Sequence, residues 1–120
     1  MVRPLVVKIT HGPEAMERLN QGVTVAATAA NAGAQVSLWL TGEAVWLAVP
    51  GRAEQWHLAH APSVADLRDD LLATASITVC GQCAARRELG PHDLLSGVTI
   101  KGAASFVGEV LAPDVQALVY

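Results

Sequence analysis

Five short runs of β-branched and aliphatic residues alternate with helix-like stretches along this chain, and that alternation leaves few folds open. Leu5 to Ile9 is apolar enough for a strand buried on both faces. His11-Gly12-Pro13 then breaks the run. Met16, Leu19, Val23, Ala27 and Ala30 recur at steps of three and four, which predicts a helix with one apolar stripe, acidic Glu14 and Glu17 at its start and Gly33 at its stop. Gln35 to Thr41 alternates as a second strand, and a short helix is expected over Ala44 to Val49. After an irregular stretch from Arg52 to Ala61, Ser63 is placed as the N-cap of another helix, with Asp66 at its third position. A third strand, Ser76 to Cys80, leads into a helix expected from Gln82 to about Leu89. Val98 to Lys101, Ala103 to Leu111 and Val115 to Tyr120 complete the pattern as strand, helix and strand.

Strands separated by helices predict βαβ units. Right-handed crossovers then place helices on both faces of the sheet. The expected fold is α/β: a three-layer sandwich around a mostly parallel five-stranded sheet. At 120 residues the chain suits one domain, 1–120.

Composition narrows the partners. Charged residues make up 16%, against roughly 25% in ordinary domains. A sheet covered on both faces and a subunit interface each lower the need for charge, so a homo-oligomer is expected. A net charge of −3 argues against nucleic acid as a partner. Residues 19–42 carry no charge, which raises the question of a membrane span. Asn20, Gln21, Thr24, Thr28, Asn31, Gln35 and Ser37, with Gly33 among them, read instead as a helix, a stop and a strand, so no membrane partner is expected. Lys8 interrupts any apolar signal segment near the start, and the expected location is cytoplasmic.

In open α/β sheets ligands gather outside the carboxyl ends of the strands. Three candidates fall there: His11 after the first strand, Glu43 after the second and Cys80 at the end of the third. Cys80 also precedes a helix, whose first N–H groups favour a thiolate, and Gly81 is read as leaving space over its sulfur. Arg86 and Arg87, one turn beyond Cys83, add positive potential. A thiolate in that setting is a nucleophile and a persulfide carrier, whereas an unactivated cysteine is a small buried hydrophobe. Cys83 either resolves an oxidised or persulfidated Cys80 or packs inertly.

Other constellations are weaker. The Cys80-x-x-Cys83 spacing suggests thioredoxin chemistry, but the pair comes too late in the chain for that fold. His57 and His60 with the two cysteines supply four zinc-type ligands in an unfavourable spacing. His92 has no partner in sequence, Trp39 and Trp46 are expected to cover sheet or subunit surfaces, and Trp56 could line a pocket. Neither Gly-x-Gly-x-x-Gly nor a P-loop occurs, so no nucleotide cofactor is expected, and no Gly-x-Ser-x-Gly elbow supports a serine hydrolase.

Several segments, taken in order, resemble a known family. They are Asn31-Ala32-Gly33-Ala34-Gln35-Val36, then Leu40-Thr41-Gly42-Glu43-Ala44-Val45-Trp46-Leu47-Ala48, then Ile77-Thr78-Val79-Cys80, Arg86-Arg87, Ser96-Gly97-Val98 and the closing Asp114-to-Tyr120 strand. Together they are similar to the DsrE/DsrF-like small sulfur-transfer proteins. The resemblance implies that Cys80 receives sulfur as a persulfide from a protein donor and passes it to a protein acceptor. It also implies a homo-oligomer, trimeric or hexameric, with sites near subunit contacts. Cys83 lies outside the relay pattern, and Glu88-Leu89 separate the arginines from Gly90.

The expected function is that of a sulfur carrier or sulfurtransferase-like protein acting through Cys80. Cys83, Arg86, Arg87, His11 and Glu43 are accessory candidates, and no metal or cofactor is assigned. The competing reading is a non-enzymatic oligomeric module that binds a small ligand or protein. A dithiol redox or zinc site is the third.

Overall fold

A computed structural model describes residues 3–120, and the aliphatic runs form the strands. β1 (Pro4–Ile9), β2 (Gln35–Leu40), β3 (Ser76–Cys80), β4 (Thr99–Lys101) and β5 (Gln116–Val119) make one sheet in the order β4-β3-β2-β1-β5. Every neighbouring pair is parallel. The register aligns Lys8 with Trp39, Trp39 with Thr78, and Thr78 with Thr99.

α1 (Met16–Asn31) buries Leu19, Val23, Ala26 and Ala27. Gly33, at φ 97, ends it, and the Ala34 N–H closes on the Ala29 carbonyl at 3.0 Å. α2 (Val64–Thr74) begins at Ser63, whose hydroxyl accepts the Asp66 N–H at 3.4 Å. α3 (Gly81–Arg86) is shorter than the helix expected from Gln82 to about Leu89. Glu88 adopts φ 57 and the Leu89 N–H bonds the Ala84 carbonyl at 2.9 Å, so the chain turns back there. The short helix expected over Ala44 to Val49 forms as a 3-10 helix, Gly42–Ala48, which holds Ala44, Val45, Leu47 and Ala48 in the core. α4 (Ala103–Val110) precedes β5.

The two faces of the sheet are unequal. Val7, Ile9, Leu38, Leu40, Ile77 and Val79 form a dry core with α1, α2 and Cys83 of α3. Alternate positions, Lys8, Ser37, Trp39 and Thr78, point the other way because strand side chains have a period of two. That second face is spanned by α4 alone, since the chain must pass from β4 at one edge to β5 beyond β1 at the other. Phe106 of α4 packs edge-on against Trp39, with ring centroids 5.3 Å apart. Glu109 of α4 accepts from the Ser37 hydroxyl and from the Trp39 indole. The helices therefore lie on both faces, as the three-layer sandwich requires. No helix among the described residues is long and apolar enough to cross a membrane.

Arg68 is the one fully buried cation among the described residues, at 2% exposure. Its guanidinium donates to the Leu47 carbonyl at 3.2 Å and to Glu54 and Asp69, clamping the segment after the 3-10 helix onto α2. Both carboxylates are largely in water, so their charge contributes little and packing carries most of the effect. Arg68→Ala should lower unfolding free energy by about 2–4 kcal/mol. Glu54→Gln should cost less than about 1 kcal/mol. Urea unfolding of the two variants checks the difference.

Candidate functional site

Cys80 closes β3 and caps α3, with φ −62 and ψ 126, so its side chain stands where strand gives way to helix. This end of the sheet is also its topological switch point. β3 is followed by α3, which packs into the dry core, whereas β4 is followed by α4 on the opposite face. A crevice opens between two such connections. Here it is a small cleft of about 70 Å³ lined by Lys8, Trp39, Thr41, Cys80, Ala103 and Phe106.

The thiol of Cys80 is held below its ordinary pKa. Partial burial pushes it up, but the Cys83 N–H and side chain, the Gln82 N–H and the Lys8 charge together outweigh burial. Lys8 is the cation that acts on this sulfur, and its amine also lies 4.9 Å from the Phe106 ring centroid. Gly81 is not forced by crowding: a Cβ there would meet Ile100 at an ordinary 3.6 Å.

Cys83 sits one turn into α3 and is buried. Its sulfur accepts the Gly42 N–H at 3.2 Å and lies 4.0 Å from the Arg86 guanidinium. Arg87 reaches a different set of groups. Its Nε donates to Glu43 at 2.8 Å and its Nη1 donates to the Cys83 carbonyl at 3.0 Å. Glu43 also accepts from the Trp46 indole at 3.2 Å. The Arg87 hydrogen bond holds the Glu43 carboxyl below the usual carboxylate range against some desolvation, with Trp46, the Arg87 charge and the Arg52 charge adding to it. Arg52 itself covers the Trp46 ring at 4.0 Å.

Thus Cys80, Cys83, Arg86, Arg87 and Glu43 gather at one end of the sheet, the two arginines beside Cys83 and Glu43 rather than against Cys80. His11 stands at the end of β1, where its ring bonds Thr10 at 3.0 Å and Arg18 at 3.5 Å. Its neighbour Gly12 supports the site sterically. A Cβ at that position would lie 2.3 Å from the Glu43 carbonyl oxygen, so glycine is needed for the β1 and β2 loops to touch. His57 and Trp56 line a separate cleft of about 280 Å³. The zinc set is not assembled: among the described residues no three His, Cys, Asp or Glu side chains form a group that could hold a metal ion. His92 is exposed.

Lys8, Trp39, Thr41 and Phe106 were not singled out by sequence reasoning as site residues. The available signal was Lys8 itself, a lone cation within an otherwise aliphatic strand.

With this geometry in view, comparison with known proteins decides the family. The model of the DsrE/DsrF-like family matches residues 4–114. The chain belongs to the DsrE/DsrF-like family. Two solved structures share its fold over the whole of both chains. One is the YchN protein of E. coli, at 17% identity and a TM-score of 0.69. The other is the protein of unknown function MTH1491 from Methanobacterium thermoautotrophicum, at 10% identity and a TM-score of 0.68. A search of curated proteins finds no match. The family is associated with sulfur relay.

Two outcomes test the geometry. Lys8→Met removes a positive charge that favours the thiolate, so the Cys80 pKa should rise. Its alkylation by iodoacetamide at neutral pH should slow roughly two- to fivefold, followed by intact mass over a pH series. Gly12→Ala should displace the Glu43 turn and lower stability by about 1–3 kcal/mol, read by chemical denaturation.

Proposed function

We propose that this DsrE/DsrF-like protein carries sulfane sulfur as a persulfide on Cys80. The observation that carries the reading is Cys80 itself. It is a partly exposed thiol of lowered pKa at the start of α3, opening on a cleft that contains Lys8. In the loading step the Cys80 thiolate attacks the terminal sulfur of a donor persulfide. The donor S–S bond breaks, the donor leaves as a thiolate, and Cys80 holds the extra sulfur. In the unloading step an acceptor thiolate attacks that outer sulfur, and the Cys80 thiolate leaves. Neither step needs an outside oxidant, because sulfane sulfur moves between thiolates. A cleft of about 70 Å³ suits one sulfur atom and little more, which favours protein partners that present a thiol at its mouth.

The proposal includes self-association. Among the described residues, Val107, Leu111 and Val119 are the large exposed apolar side chains, with Leu111 at 77% and Val119 at 64% exposure. Val107 shares one face of α4 with Ala104, Leu111 caps the end of that helix, and Val119 lies on the outer strand β5. Such a patch supports burial against further copies, as does family membership, with a trimer or hexamer expected. Two free cysteines fit a reducing, cytoplasmic setting.

A second reading, a non-enzymatic binding module, draws on a larger cavity of about 500 Å³ near Leu5, Val36, Thr74 and Val115 at the amino ends of the strands. Its one charged lining residue is Glu109, which is already bonded to Ser37 and Trp39. Size therefore favours that cavity and chemistry favours Cys80. We follow the chemistry, because transfer requires a nucleophile.

Intact mass after exposure to a persulfide donor separates the two readings. Cys80→Ser should lose the gain of one sulfur that the parent chain shows during loading. Absence of any adduct on parent and variants alike would leave the binding module. Leu111→Glu with Val119→Glu should reduce the assembly to monomers, measured by light scattering on a sizing column.

A further inference from the structure

Cys83 has features that a mere packing residue does not need. It lies three residues after Cys80 on the first turn of α3, the spacing at which two cysteines close a disulfide across a helix start. It is buried, while Cys80 is partly exposed. Its sulfur has two donors beside it, the Gly42 N–H at 3.2 Å and the Arg86 guanidinium at 4.0 Å, which fix its position under α3. Its carbonyl is held by Arg87, which Glu43 positions in turn. One accessible thiol beside one sheltered thiol is the arrangement in which the first reacts with a partner and the second resolves the product.

We propose that Cys83 discharges the Cys80 persulfide intramolecularly, releasing sulfide and leaving a Cys80–Cys83 disulfide. The inference rests on the reading of Cys80 as a persulfide carrier, and adds a fate for sulfur that no acceptor claims. The Cys83 thiol gives up its proton and its sulfur attacks the inner sulfur, Sγ of Cys80. The bond from that Sγ to the outer sulfur breaks, and its electron pair departs with the outer sulfur. The outer sulfur takes up the proton and leaves as hydrosulfide. The sulfane sulfur is reduced by two electrons while the two cysteines are oxidised to one disulfide, so sulfane sulfur is the only oxidant. A thiol reductant, small molecule or protein dithiol, returns the pair to its starting state in a separate two-electron step. Competition then sets the outcome: an acceptor thiol that docks in time takes the outer sulfur, and one that arrives late finds a disulfide.

The test loads the reduced protein anaerobically with sodium polysulfide, removes the excess by desalting, and follows intact mass and released sulfide. Parent chain, Cys83→Ser, Cys83→Ala and Cys80→Ser are compared, with circular dichroism confirming that each is folded. The parent should pass to a species lighter by two hydrogens, with a Cys80–Cys83 peptide after digestion and one sulfide released per chain. Cys83→Ser and Cys83→Ala should keep the added sulfur at least about tenfold longer. A parent persulfide as long-lived as that of the Cys83 variants, without sulfide release, overturns the discharge step and leaves Cys80 as a carrier. No sulfur gain on either Cys83 variant overturns the carrier reading and the discharge with it.

Discussion

Every strand of this sheet runs parallel to its neighbours, so the chain must cross a face after each one. Three crossovers, through α1, α2 and α3, advance in one direction and build a dry core from Val7, Leu38, Ile77 and their neighbours. The last crossover must return over the whole sheet to place β5 beside β1, and it has only α4 with which to do so. An eight-residue helix cannot cover a five-stranded face. The second face therefore keeps polar and amphipathic residues, Lys8, Ser37, Trp39 and Thr78, and Val107 of α4 and Leu111 at its end stay in water. The small cleft, the exposed apolar patch and the placement of Lys8 all descend from that one return.

The two cysteines divide along the same boundary. Cys83 belongs to the dry core, while Cys80 lies where the core ends and the crevice begins. Burial raises a thiol's pKa, and backbone N–H groups and a nearby amine lower it. At Cys80 the lowering effects win because burial is partial. Around Cys83 the surroundings are organised by hydrogen bonds that lead from its carbonyl through Arg87 to Glu43 and Trp46. That scaffold ties the loop after β2 to α3, and Gly12 allows the loop after β1 to lie against it.

Much of the fold was legible because its signals are local. Gly33 stops α1 through its positive φ, Ser63 caps α2, and the aliphatic runs mark β1 to β3. Boundaries were less legible where tertiary contacts overrule propensity. α3 stops before Leu89 because Glu88 reverses the chain, and the segment after β2 tightens into a 3-10 helix against the core. Cys80 could be found from its strand-end position alone, and Glu43 likewise. The sense of Arg86 and Arg87 could not, since helical spacing fixes their distance from Cys83 but not which acceptors lie opposite. Lys8 was visible only as an oddity: its relation to Cys80 depends on the one intervening strand, through the register of Lys8 with Trp39 and of Trp39 with Thr78.

By itself the sequence determined the α/β class, the order of elements and a cysteine placed between a strand and a helix. It could do so because periodicity, turn residues and caps act over a few residues. The tertiary structure decided the strand order, and with it that β3 and β4 flank the switch point. It also decided that Lys8 of the first strand faces Cys80 of the third, and that Cys83 rather than Cys80 receives Gly42 and Arg86. Those pairings join residues far apart in the chain, and only the register of a parallel sheet and the path of its final crossover bring them together.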